Sequence, residues 1–141
     1  MEYTKIEPEQ TVADIQRVLG KYGASAILTQ YNGGEVTAVS FEVHVGEKRV
    51  PFRLPCRWQA IEQILLSRKR ARRTERLTQQ AKRVAWRQIL RWIQAQLALV
   101  ETNMVKLQEV FMPYLQLSLE GKTLYQELEE TKFRMLEHKE K

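Results

Sequence analysis

The chain has 141 residues, 43% of them hydrophobic, the size of one ordinary domain or of a small domain with a helical extension. Its mean hydropathy of -0.47, the lack of any apolar run near the roughly 18 to 20 residues that cross a bilayer, and a polar start at Met1-Glu2 set aside a membrane protein and a secreted one, so a cytoplasmic location is expected. Cys56 is the single cysteine and His44 and His138 the only histidines, which excludes an intramolecular disulfide and a cysteine-built or histidine-built metal cage.

The net charge is +6, yet the excess is local. Ten basic residues lie between Arg68 and Arg91 against one acid, Glu75, so this segment carries +9 and the remainder of the chain -3. An arginine-weighted cluster on a slightly acidic body is the sequence pattern of a phosphate-binding surface.

In chain order, 1–10 reads as a loose lead-in. Thr11 is the expected N-cap of a short helix, with Asp14 in the reciprocal position, Val12, Ile15, Val18 and Leu19 on its apolar face, and Gly20 and Gly23 as its stop. From Ala24 to Leu54 the period changes to two. Turn signals at Asn32-Gly33-Gly34 and Gly46-Glu47-Lys48 divide the stretch into a three-stranded antiparallel meander. Val39, Phe41, Val43, Val45, Val50, Phe52 and Leu54 share one face, Glu42, His44, Arg49 and Arg53 the other, and Pro51 places the third strand at an edge.

Trp58, Ile61, Ile64, Leu65 and Leu66 predict a helix packed across that sheet. From Ser67 to Arg83 only Ala71, Leu77 and Ala81 are apolar. Repulsion between neighbouring arginines then predicts a partly disordered or weakly helical connection.

Trp86, Leu90, Ile93, Leu97, Val100, Met104, Leu107, Phe111 and Tyr114 follow at spacings of four and three, the stripe of a long amphipathic helix or a helix pair about 40 Å long. Asn103 is a candidate break, and Pro113 disturbs the last turn. The stripe needs cover from the chain's own sheet and helices, from a second copy in a homodimer, or from a partner. Glu120-Gly121-Lys122 is a turn, and Thr123 to Glu140 a last, charged helix. The fold expected is α+β: a short N-terminal helix, a three-stranded antiparallel meander and a helical C-terminal half. Its regions are a small αβββα unit (1–66), a basic connector or exposed helix (67–85) and a helical part (86–141), packed as one domain.

The segment from Trp86-Arg87-Gln88-Ile89-Leu90-Arg91-Trp92-Ile93 to Ala98, with Glu109-Val110-Phe111-Met112-Pro113-Tyr114, resembles a group of small uncharacterised proteins of tailed bacteriophages and prophages, as does the part from Thr11 to Pro55. The resemblance implies a phage setting, in which short basic proteins serve recombination, replication or interference with host defence. It carries over no catalytic residue.

The chemistry expected is non-catalytic. Guanidinium groups bind phosphate bidentately and release counterions from a duplex, which makes Arg68, Lys69, Arg70, Arg72, Arg73, Arg76, Lys82, Arg83 and Arg87 the candidate contacts to nucleic acid, DNA before RNA. The alternatives are an acidic protein partner, such as a host protein engaged through the stripe, and a solvated connector without a ligand. Trp58 and Trp86 fall on apolar faces and read as core. Trp92, on the flank of the stripe, is the candidate for stacking a base. No cofactor is expected: Asp14 is the only aspartate, the glutamates are scattered, and Asn32-Gly33-Gly34 lacks the lysine and helix of a phosphate loop. His44 with Glu42 reads as an ordinary exposed pair on one strand face, and Cys56, which Arg53 and Arg57 could activate but which has no companion base, as a small residue at a strand-helix junction.

Overall fold

A computed structural model describes residues 4–69 and 72–140. The chain is α+β, with all of its main helices after the first following the sheet.

Helix α1 spans Pro8–Lys21. It starts earlier than Thr11, because Pro8 sits at the first helical position, where its fixed φ and missing N–H cost nothing, and Glu7 takes the cap position. Thr11 is buried one turn inside, and Asp14 is used for ion pairs instead of capping. Gly23, at φ 115°, ends the helix with the Ala24 amide bonded back to the Leu19 carbonyl at 3.0 Å.

The meander follows: β1 (Ala26–Asn32), β2 (Glu35–Val45) and β3 (Lys48–Pro55), antiparallel, with β2 in the centre. Gly33 and Gly34 both have positive φ, as a two-residue turn matching the twist of its strands requires. Phe41 lies opposite Ile27 on one side and Phe52 on the other, and Val39 opposite Leu54, so one face of the sheet is largely apolar; Thr29 interrupts it opposite Val39, and Val45, expected on the same face, is left exposed at the end of β2. On the other face His44 and Arg49 are exposed, while Arg53 is half-buried and its Nε donates to Gln30 Oε1 at 2.9 Å.

Helix α2 (Trp58–Lys69) does not cross the sheet. It packs along α3 (Glu75–Glu101), and the two form a helical hairpin with its own small apolar cluster of Leu65, Leu77 and Ala81. Thus α3 begins well before Trp86, inside the stretch expected to be loose. Thr74 supplies its cap by accepting from the Leu77 amide at 3.1 Å, and Glu75 adds a carboxylate in the first turn. Leu77, Ala81 and Val84, all buried, are spaced by four and three but out of step with the stripe that starts at Trp86, so the first turns of α3 bury a different side of the helix.

The main core lies between the apolar face of the sheet, α1 and α3. Val12, Ile15 and Leu19 of α1 and Trp86, Leu90, Ile93 and Leu97 of α3 meet Val39, Phe41 and Phe52 there. Asn103 does break the helix: at φ 63°, it lets the Asn103 amide bond to the Val100 carbonyl (3.0 Å) and the Met104 amide to the Leu99 carbonyl (3.1 Å). The reversal throws Met104 out to 72% exposure and brings Leu107 of α4 (Leu107–Val110) and Phe111 back into the core. Apart from Met104, the stripe therefore packs against this chain's own sheet and helices.

After a 3-10 turn at Met112–Tyr114, which contains Pro113, the chain adds a short edge to β3. Leu115 bridges Phe52, and the Gln116 amide donates to the Pro51 carbonyl at 2.9 Å. Helix α5 (Leu124–Glu130), capped by Thr123 and Gln126, stops sooner than the sequence suggests, because Lys132 and Phe133 both take left-handed conformations before a 3-10 segment at Arg134–Glu140. Among the described residues no helix is long and apolar enough to cross a membrane.

Candidate nucleic-acid interface

The basic run occupies the end of the α2–α3 hairpin and the first half of α3. Glu62 locks this hairpin. Only 3% exposed, its carboxylate accepts from the Thr78 hydroxyl at 2.5 Å and lies 3.2 Å from the Arg73 guanidinium. A buried carboxylate left without such partners would be strongly destabilising, so the pair fixes how α2 lies against α3.

The ten candidate residues divide by position. Arg68, Arg72, Arg73 and Arg76 lie at the hairpin tip and are exposed. Arg72 and Arg76 form no ion pair among the described residues, and Arg73 keeps 61% of its side chain in solvent despite its contact with Glu62. Lys69 is the last residue of α2, and Arg70 lies outside the described residues.

Lys82, Arg83 and Arg87 turn inward. Lys82 is ion-paired with Glu35 of β2 and stands 4.8 Å above the Trp58 ring. Arg83 lies 3.3 Å from Glu7, and Arg87 lies 3.3 Å from Asp14 and 3.4 Å from the Thr11 hydroxyl oxygen. Their side chains are 17%, 20% and 23% exposed. The carboxylates of the N-terminal half thus supply the counter-charge that the repulsion argument lacked, and 75–85 is helix for that reason. The Lys82 amine, hydrogen-bonded to Glu35, holds that carboxyl below its ordinary range.

Trp92 is half-buried. Its ring packs edge-to-face on Phe111 at 5.3 Å and on Tyr114 at 5.5 Å, which anchors it, and it borders an open groove of about 380 Å³ between α2, α3 and the end of β3. Ile61, Ile89 and Tyr114 also line the groove, and the exposed Arg57 stands at its rim. Sequence reasoning did not single out Arg57 for binding. The available signal was its place one residue before an amphipathic helix, next to a tryptophan.

Cys56 is a buried small residue at the junction of β3 and α2, as expected, and its thiol is not lowered by the nearby arginines. It is 8% exposed, and burial pushes its thiol up to about 12, outweighing the neighbouring cations. Among the described residues no three His, Cys, Asp or Glu side chains gather closely enough to hold a metal ion. No family model, curated protein or solved structure matches this chain.

Proposed function

We propose that the chain is a non-catalytic DNA-binding accessory protein, acting in a phage or prophage setting, and that its contact surface is the tip of the α2–α3 hairpin. The observation that supports this reading is the exposure of Arg68, Arg72, Arg73 and Arg76 within one turn-and-a-half of the tip, with Arg72 and Arg76 unpaired among the described residues. Arginine is suited to this task because its planar fork matches phosphate oxygens and remains charged at any physiological pH. The grip is narrower than the charge of the whole run suggests, since Lys82, Arg83 and Arg87 already hold carboxylates.

A footprint of three or four phosphates gives a log-log salt slope of about -3 to -4, against about -8 if all nine basic candidates took part. Titrating labelled duplex and single-stranded DNA at several salt concentrations tests this. Binding with that slope, weakened when Arg68, Arg72 and Arg76 are replaced by alanine, is the expected result. Equal binding by the two proteins, or no binding at low salt, removes the proposal.

A second reading, engagement of a host protein, keeps one observation in its favour. The groove beside Trp92 and Tyr114 is apolar and open, unlike the buried stripe. Recovery of one stoichiometric protein after nuclease treatment, lost on replacing Trp92 by glutamate, would favour it over DNA.

A further inference from the structure

The sheet has two outer edges, β1 and β3, and they are built in opposite ways. β3 carries Lys48, Arg49 and Arg53 and is interrupted by Pro51. The chain also covers it, through the Leu115–Phe52 bridge and the Gln116 amide. These are the devices that keep a strand edge from pairing with a stray strand. β1 carries no such charge, proline or cover; its irregularity is a shift of register between Gln30 and Tyr31. Its seven residues, Ala26–Asn32, include no charge and no proline, and the uncharged run reaches from Tyr22 to Gly34 in a chain of which 28% is charged. Among the described residues no segment other than β2 pairs with β1 along its backbone. Leu28 and Tyr31 are each 62% exposed on it.

We infer that β1 is a docking edge for a second copy of this chain, the two β1 strands pairing antiparallel about a twofold axis into one six-stranded sheet. Charge selects the occupant. The positive excess of each molecule is confined to Arg68–Arg91, and β1, which carries no charge, is an edge along which two copies can bring their backbones together without opposing like charges. A charged foreign strand finds no counter-charge there.

Topology selects the stoichiometry. Antiparallel pairing of identical strands is self-complementary and closes at two copies, and the covered, charged β3 edge prevents the sheet from growing further. The shared edge is only about 23 Å long at 3.3 Å per residue. Association is therefore weak and depends on concentration, as expected of a contact below the usual size for a stable interface.

Light scattering or sedimentation of the intact chain over a wide concentration range, with amide exchange at the same concentrations, tests the inference. The expected result is a mass rising from 16.7 kDa toward twice that value, together with slower exchange confined to amides of 26–32 at high concentration. Leu28→Lys with Tyr31→Lys places charge on the edge at two exposed positions. This variant should keep its circular dichroism, stay monomeric and lose the concentration-dependent protection. Leu28→Lys alone serves if the pair disturbs folding. A wild-type monomer at every concentration overturns the inference. So does a dimer that leaves 26–32 unprotected or survives both variants, and so does protection that arises only when DNA or another protein is added to a monomeric chain.

Discussion

The Arg87 guanidinium lies 3.3 Å from the Asp14 carboxylate, joining the middle of α3 to α1. With Arg83 and Glu7 one turn earlier, this contact separates the arginines that hold the fold from those that face solvent. Replacing Arg87 by alanine should lower stability by about 1 kcal/mol, the upper range for a partly exposed pair, because it also leaves Asp14 half-buried with less compensation. Its salt slope for DNA should not change. Replacing Arg72 or Arg76 should leave the melting temperature unmoved and make the slope shallower by about 1 per arginine. Thermal melts and salt titrations on the same four proteins decide the matter.

The ion pair between Lys82 and Glu35 makes a prediction in pH. The hydrogen bond from Lys82 depresses the Glu35 pKa below its ordinary 4.5. A carboxylate depressed on folding stabilises the native state above its unfolded pKa, and the contribution disappears as pH falls through the lower folded value. The stability difference between wild type and Lys82→Met should therefore be constant at neutral pH and shrink on acidification below the ordinary value. A residue should remain, from the lost contact of the amine with the Trp58 ring. Denaturant melts across the acid range measure both parts.

Cys56 should be inert in the native protein. With its thiol raised to about 12 and its side chain buried, almost no thiolate exists at pH 8 and no reagent reaches it. A disulfide reagent should react only at the rate of unfolding, and promptly in denaturant. Fast labelling of the folded chain would contradict the packing at the junction of β3 and α2.

Gly121 has φ 91°, and a Cβ there would meet Arg53 Cδ and Nε at 2.9 Å. Gly121→Ala should cost about 1 to 2 kcal/mol, part from the left-handed backbone and part from displacing Arg53, which is held by Gln30. Adding Arg53→Ala should recover the second part alone. A denaturant double-mutant cycle with no coupling between the two positions would show that the turn does not press on Arg53.

The meander was readable because its alternation and its glycine turns act locally: each strand shows its own face, and Gly33-Gly34 permits the tight reversal. Asn103 was readable for the same reason, since few other residues accept its conformation. The arginine-rich part of α3 is not legible as helix in the sequence because what neutralises it is remote. Glu7, Asp14 and Glu35 lie far away in sequence, so local repulsion looked uncompensated. The start of α1 was missed by one turn because Thr11 resembled a cap, whereas Pro8 was pre-set for the first turn. Within the candidate site, sequence could show that Arg68 to Arg87 is rich in cations. It could not show which of them face outward, because that depends on the helical phase relative to α1 and the sheet.

The small cluster of Leu65, Leu77 and Ala81 holds the outer part of the hairpin together and meets the main core through Trp58 and Ile61, which pack against both. Arg72 and Arg76, exposed at the far end of the hairpin, belong to neither cluster and can be exchanged with little effect on the packing around Phe41 and Trp86. Variation at the outer end of the hairpin is thereby set apart from the packing that keeps the molecule folded, and the charge carried there can change while the scaffold stays intact.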